Sequence, residues 1–371
     1  MTKSKEASFL LYENVFFDPQ NSLNGLYFAI DPWNGTLMHY RVTAYGPNDE
    51  VIDGSIPLQA IDQSTAIFVS TQGSDFLGCG NLQSGPCKSI QGALTSAEAS
   101  GSTIFATPGV YSGEGNFNIN TAGNAVIRST NGPQYSVINC TDPGVMKRGF
   151  VFISGESEDT VLEGFTILGG EENDGGCILI RDSSPRLNQM VFIDCKALTG
   201  SARGGAIFVE GSGSKTLIEN SLFYYNQANE GGAVHVANGA ALELSNSVID
   251  LGICPSGTGL GGGMFGKNAN ISIEDSIIKN CISAFGGGGM LFQDSFVMLN
   301  RVEVLRNAVT NTGAGINLFG STTTIMNSRI AEVRILFYPC TFHLGCSDLF
   351  IPIYRITQQY LVEDFYAPRQ M

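Results

Sequence analysis

Arg181 and Glu210 are the two residues in this chain whose spacing comes nearest to chemistry. Each stands three residues beyond an apolar residue, Ile178 and Ile207, and each of those follows a Gly-Gly-Cys or Gly-Gly-Ala triplet. If the two segments stack, the guanidinium faces the carboxylate. An arginine or lysine base beside carboxylates that hold calcium would suit eliminative cleavage of an acidic polysaccharide. A surface ion pair at a corner, worth ~0–1 kcal/mol, needs only the same two residues and is the simpler reading. The remaining candidates are thinner. His39, His235 and His343 lie far apart, and no Cys/His spacing resembles a zinc site. No catalytic residue is therefore assigned, and no cofactor is expected except calcium under a lyase activity.

The nine cysteines point to loops and packing rather than to a nucleophile. Cys79 and Cys87, in "CGNLQSGPC", sit in a Gly/Pro loop where a short disulfide can close. Cys177 shares a column of small residues with Ala206 and Ala233 and reads as a packed thiol. Cys254 and Cys281 belong to neighbouring repeats and are a candidate pair, while Cys195 and Cys281 would be three coils, ~14 Å, apart. Sequons at Asn34, Asn139 and Asn270 suit a secreted or cell-surface protein. The start, "MTKSKEASFLLYENVFF", lacks the apolar stretch of a signal peptide, so an extracellular location implies that this is not the natural beginning. A net charge of −14 argues against nucleic acid as a partner. No apolar run is long enough to span a membrane as a helix.

The elements that must position these residues announce themselves by repetition. Small-residue triplets begin at Gly175, Gly204, Gly231, Gly261, Gly287 and Gly313, and each leads into an apolar residue: Ile178, Ile207, Val234, Met264, Met290 and Ile316. A second apolar series follows with the same period: Phe192, Phe223, Ile249, Ile278, Val304 and Ile330. Short β-branched segments such as "AIFV" and "AVHV", each preceded by Gly-Gly, oppose a helical repeat. The expected fold is all-β: a right-handed parallel β-helix of about eight coils, each laid ~4.8 Å above the last. Four residues past the first anchor stand Asp182, Gly211, Asn238, Asn268, Asp294 and Gly320, the types that tolerate a left-handed corner. Asn226 and Asn307 share another column, where stacked amides can bond along the axis. Reading upstream places Ile153 one coil before Ile178.

The expected boundaries are 1–64 for a small β unit, 65–100 for a cap of one strand and one amphipathic helix, 101–334 for the solenoid, and 335–371 for an atypical tail or second cap. The helix presents Ile90, Ala93, Leu94 and Ala97 on one face. Alternation along each first strand sends Leu179, Phe208, His235, Phe265, Leu291 and Asn317 outward, away from the core. An outward apolar stripe needs either a cover from elsewhere in the chain or a partner: a glycan, a sister protomer or a cell surface.

The segments "IFVSTQGSDFLGCG", "GSTIFATPGVYSGEGNFNI" and "LEGFTILGG" resemble the pectin-lyase-like right-handed β-helix superfamily. Gly204-Gly-Ala-Ile207 with Phe223-Tyr-Tyr-Asn226 is similar to polymorphic outer-membrane-protein repeats, although Ile249 and Ile278 lead to Gly252 and Cys281 in place of Asn. The resemblance covers 65–334 and implies the fold; the superfamily spans lyases, hydrolases, esterases, tailspikes and adhesins. The Gly-His-Gly and Arg-Ile-Lys signatures of polygalacturonases are missing, as are those of pectin methylesterases. The expectation is a non-catalytic surface protein for display, adhesion or glycan binding. The alternative is a lyase or hydrolase working on acidic polysaccharide in an external groove.

Overall fold

A computed structural model describes residues 44–45, 51–52, 66–80, 85–96, 103–141, 147–200, 202–255, 257–335, 354–356 and 360–363. The chain winds into coils whose strands stack in parallel ladders. In the coil that begins at Gly204, Ile207–Glu210 forms a first face and Lys215–Glu219 a second. Leu222–Tyr224 forms the third face and Gln227–Ala228 a short fourth. The first-face ladder holds eight strands, from Ile119–Asn120 to Ile316–Phe319. The anchors sit one above another: Ile178 pairs with Ile207, Ile207 with Val234 and Val234 with Met264, while Phe192 pairs with Phe223 and Phe223 with Ile249. Upstream, Ile178 pairs with Phe150 rather than with a residue at Ile153, which is exposed. The offset arises because that coil is three residues longer than the spacing from Ile153 allows.

Each corner has its own chemistry. Asp182, Asn238, Asn268 and Asp294 adopt φ between 48° and 57°, and Gly211 and Gly320 complete the left-handed column. The Gly-Gly pair answers two separate demands. Gly204 has φ +63°, and a Cβ there would lie 2.1 Å from the Ile207 carbonyl oxygen. Gly205 lies under the next coil, and a Cβ there would meet the Gly232 carbonyl oxygen at 2.1 Å. A buried serine ladder runs along the corner between the second and third faces. Ser221 Oγ accepts from the Met190 amide (3.1 Å), Ser247 Oγ from the Ser221 amide (3.0 Å) and Ser276 Oγ from the Ser247 amide (3.1 Å). These hydroxyls give buried N–H groups the partners that the bend takes from them. The interior is apolar, with Phe192 stacked on Phe223 at 4.7 Å between ring centroids.

The N-terminal end is closed by the strand Ala66–Val69, paired in parallel with Thr103–Ala106, and by the helix Ile90–Ser96. Ile90 and Ala93 are buried and Leu94 packs on the core; Ala97 lies outside the described residues. Asp75 starts the helix, its Oδ1 accepting from the amides of Lys88 (2.8 Å) and Ser89 (3.0 Å). At the other end Tyr354–Ile356 and Tyr360–Glu363 pair antiparallel with the last coil. Ala44–Tyr45 and Val51–Ile52 pair antiparallel within the first 64 residues.

Candidate functional site

The outward stripe on the first face does point away from the interior, yet it is sealed. Phe208, His235, Phe265 and Leu291 are at most 2% exposed, and Leu179 and Asn317 are half-buried. The cover is the segment just before each Gly-Gly, where single residues bridge in parallel from coil to coil: Asp174, Arg203, Glu230, Leu260, Gly286 and Thr312. This strap lies across the first-face side chains. The Arg203 guanidinium sits 4.1 Å from the Phe208 ring centroid and is held by both Asp174 oxygens at 2.9 and 2.8 Å. His235 is wedged edge-on between Phe208 (5.2 Å) and Phe265 (4.8 Å). Of the two outcomes expected for this stripe, a cover from elsewhere in the chain or a partner, the structure shows the cover, and Phe208, His235, Phe265 and Leu291 are not open to a ligand. Side-chain direction is set by the strand, whereas exposure is set by how the next loop folds back.

His235 cannot serve as a proton shuttle in this position. Burial, then the nearby Arg203, lower its pKa to about 3, so it is neutral at ordinary pH. Its Nδ1 stands 3.6 Å from Glu230 Oε2, beyond hydrogen-bond reach, and has no partner. The Glu230 carboxyl is itself raised by burial, with Lys267 and Arg203 pulling the other way. Together with Asn173, Asp174, Thr199, Ala202 and Arg203 it lines an open cleft of about 420 Å³ at the edge of the strap. Arg181 and Glu210 do face each other one coil apart, Nε to Oε1 at 2.6 Å, and Glu210 also accepts from Asn238 Nδ2 at 3.0 Å. Arg181 is half exposed, at the end of the strand and outside that cleft's lining.

The second face is different. Its outward side chains form columns, Ala241–Asn270–Phe296–Thr322 and Glu243–Ser272–Met298–Thr324, in strict register. These residues line a shallow groove of about 320 Å³. Phe296 is 65% exposed and Met298 45%, so two large apolar side chains lie open among amide, hydroxyl and carboxylate groups. Sequence reasoning passed over this face. The signal was present in part as "NISIE", "FVMLN" and "TTTIM", five-residue segments recurring at one spacing, although only the first alternates polar with apolar residues.

Cys79 and Cys87 form a disulfide. Cys177 is bonded to Cys195, which corrects the reading of a packed thiol. The reason is geometric: the third triplet position and the column after the second anchor approach each other across the coil. A Cβ on Gly263 would lie 3.1 Å from Cys281 Sγ, and one on Gly289 would lie 2.8 Å from Asn307 Nδ2. Two cysteines in those columns of one coil therefore meet. Cys254 and Cys281 are both buried free thiols and do not pair. Cys254 lies on the short fourth face and donates to the Leu260 carbonyl (3.2 Å), while Cys281 lies inside and donates to the Lys279 carbonyl (3.2 Å). Burial pushes the Cys281 thiol up to about 12 and raises Cys254 as well, so neither is a nucleophile. Asn226 and Asn307 make no amide stack, because Gly252 and Cys281 separate them. Each instead accepts from the amide one coil below, Cys195 at 3.0 Å and Cys281 at 2.9 Å. Asn139 is half-buried with its carboxamide oxygen accepting from Thr141; Asn270 is exposed; Asn34 lies outside the described residues.

With the ladders and corners in place, the chain is a parallel β-helix, and the family comparison agrees on its hand. The family described as "Right handed beta helix region" matches residues 148–330. Among solved structures the chain is similar to a rhamnogalacturonan lyase, 12% identical over 71% of this chain and 87% of that one, with a TM-score of 0.34. It is also similar to ORF18 of Geobacillus virus E2, 11% identical over 72% of this chain and 61% of that one, with a TM-score of 0.35. No curated protein matches the sequence. Likeness at such identity is one of fold. Among the described residues no helix is long and apolar enough to cross a membrane.

Proposed function

We propose that this chain is a non-catalytic extracellular or cell-surface β-helix that binds glycan along the groove of its second face. The observation that carries the reading is the exposure of Phe296 and Met298 within a polar groove. Hexose rings have an apolar face that packs on an aromatic ring and a rim of hydroxyls that amides and hydroxyls satisfy. Asn270, Ser272, Thr322 and Thr324 supply that rim. The rigid ladder holds these groups at one spacing, so little ordering entropy opposes binding. Titration against a panel of neutral and acidic oligosaccharides tests it. Phe296→Ala should weaken binding by about tenfold, near the ~1.4 kcal/mol expected of one lost aromatic contact. Undiminished affinity would remove the groove from this role.

A second reading, polysaccharide cleavage, is favoured by one observation: the raised Glu230 carboxyl, in a cleft beside Asp174 and Arg203. Incubation with polygalacturonate and calcium, following absorbance of new double bonds, tests the lyase form. Product that disappears with Glu230→Gln would establish it over the binding reading.

A further inference from the structure

The groove of the second face contains a sequon, Asn270-Ile271-Ser272, and alternation along Asn270–Glu274 turns both Asn270 and Ser272 outward while Ile271 is buried. Asn270 pairs in register with Phe296, and Ser272 with Met298. The sequon asparagine is thus one rung, ~4.8 Å, from the most exposed aromatic ring of the groove. Asn270 is exposed, and its backbone N–H is satisfied by the Ala240 carbonyl at 2.9 Å, so the ladder survives modification of the side chain. Asn139, by contrast, is half-buried with its side-chain oxygen engaged by Thr141.

We infer that Asn270 is an N-glycosylation site whose first N-acetylglucosamine lies over Phe296 and Met298, so that the protein's own glycan occupies the groove. The inference rests on the groove being a saccharide surface, as proposed above. In the transfer the Asn270 amide nitrogen bonds to the anomeric carbon of a lipid-linked oligosaccharide, the lipid diphosphate leaves, and the amide gives up one proton. Tethering then raises the effective sugar concentration at the groove to about millimolar, so free glycan is bound chiefly by chains whose Asn270 is bare. It also covers two large apolar side chains that would otherwise stay open to water.

The test secretes the full chain from a eukaryotic host and compares it with unglycosylated chain from a bacterial host. Peptide mass spectrometry should find hexosamine on Asn270, and Ser272→Ala should abolish it. Oxidation of Met298 by dilute peroxide should be several-fold slower in the glycosylated chain. Trimming to the single Asn-linked N-acetylglucosamine should preserve that protection. An unoccupied Asn270, or equal Met298 oxidation in both forms, would overturn the inference. Saccharide binding by the unglycosylated chain is titrated separately. Its absence would overturn the groove reading on which the inference rests, whereas an unoccupied Asn270 with saccharide binding intact would overturn the inference alone.

Discussion

The first and second faces start from the same rule and finish differently. Both send large apolar side chains outward on alternate residues. On the first face Phe208 is fully buried, and on the second Phe296 is 65% exposed. The difference lies in the connections between strands. After the third face the chain takes several extra residues before the next Gly-Gly, long enough to lay Arg203, Glu230 and Leu260 back across the first face. Between the second and third faces it takes only a tight corner such as Asn220-Ser221, which leaves nothing to spare as a cover. A solenoid thus seals the faces beside its long loops and leaves open those beside its short ones.

Breaking this contrast should show first in stability. Phe208→Ala removes a ring packed under Arg203 and against His235, and should cost about 3–5 kcal/mol. Phe296→Ala, on the open face, should stay within about 0.5 kcal/mol. Chemical denaturation followed by far-UV circular dichroism reads both. Equal losses would mean that the two faces are covered alike.

How much of this was legible in the sequence depends on the range over which each feature is decided. The anchors Ile178 to Ile316 and Phe192 to Ile330 stack as their period requires, because a ladder admits one register and a slip would turn every side chain over. The corner series from Asp182 to Gly320 has positive φ throughout, a local preference visible residue by residue. That the stripe needed a cover or a partner was legible; which of the two it has was not, since period-2 alternation gives direction and says nothing of a strap folded from another part of the coil. The Cys177–Cys195 bond escaped because it joins two columns whose shared period does not reveal that they touch across the coil. The serine ladder was written in plain view as Asn220-Ser221, Asn246-Ser247, Asp275-Ser276 and Asn327-Ser328. Its meaning needs the bend that orphans an amide at each of those points.

The sealed face should also carry an acid-sensitive slope. His235 has a folded pKa of about 3 against an ordinary 6.5, so the unfolded chain binds the extra proton across that window. Stability from this group is complete above about pH 6.5 and is lost as pH falls toward 3. Each unit amounts to about 1.4 kcal/mol, so the loss by pH 4 is about 3 kcal/mol. Glu230 opposes it in part, since its raised carboxyl takes up a proton sooner in the folded state, while Arg203 and Lys267 stay charged. His235→Phe, set between Phe208 and Phe265, should flatten the dependence of the denaturation midpoint between pH 6.5 and 4. An unaltered slope would place the acid sensitivity elsewhere in the molecule.

A small effect is also expected of the pair with which the sequence seemed closest to chemistry. Arg181 is half exposed and reaches Glu210 at 2.6 Å from the rim of the first face, where water screens the attraction. Glu210 keeps a second donor in Asn238 Nδ2 when the guanidinium is removed. Arg181→Ala should therefore cost no more than about 1 kcal/mol, and the cost should shrink in molar salt as screening shortens the reach of exposed charges. A loss as large as that of Phe208→Ala, or one indifferent to salt, would mean that the strap extends over this corner too, and the boundary between sealed and open surface would have to be redrawn through Arg181.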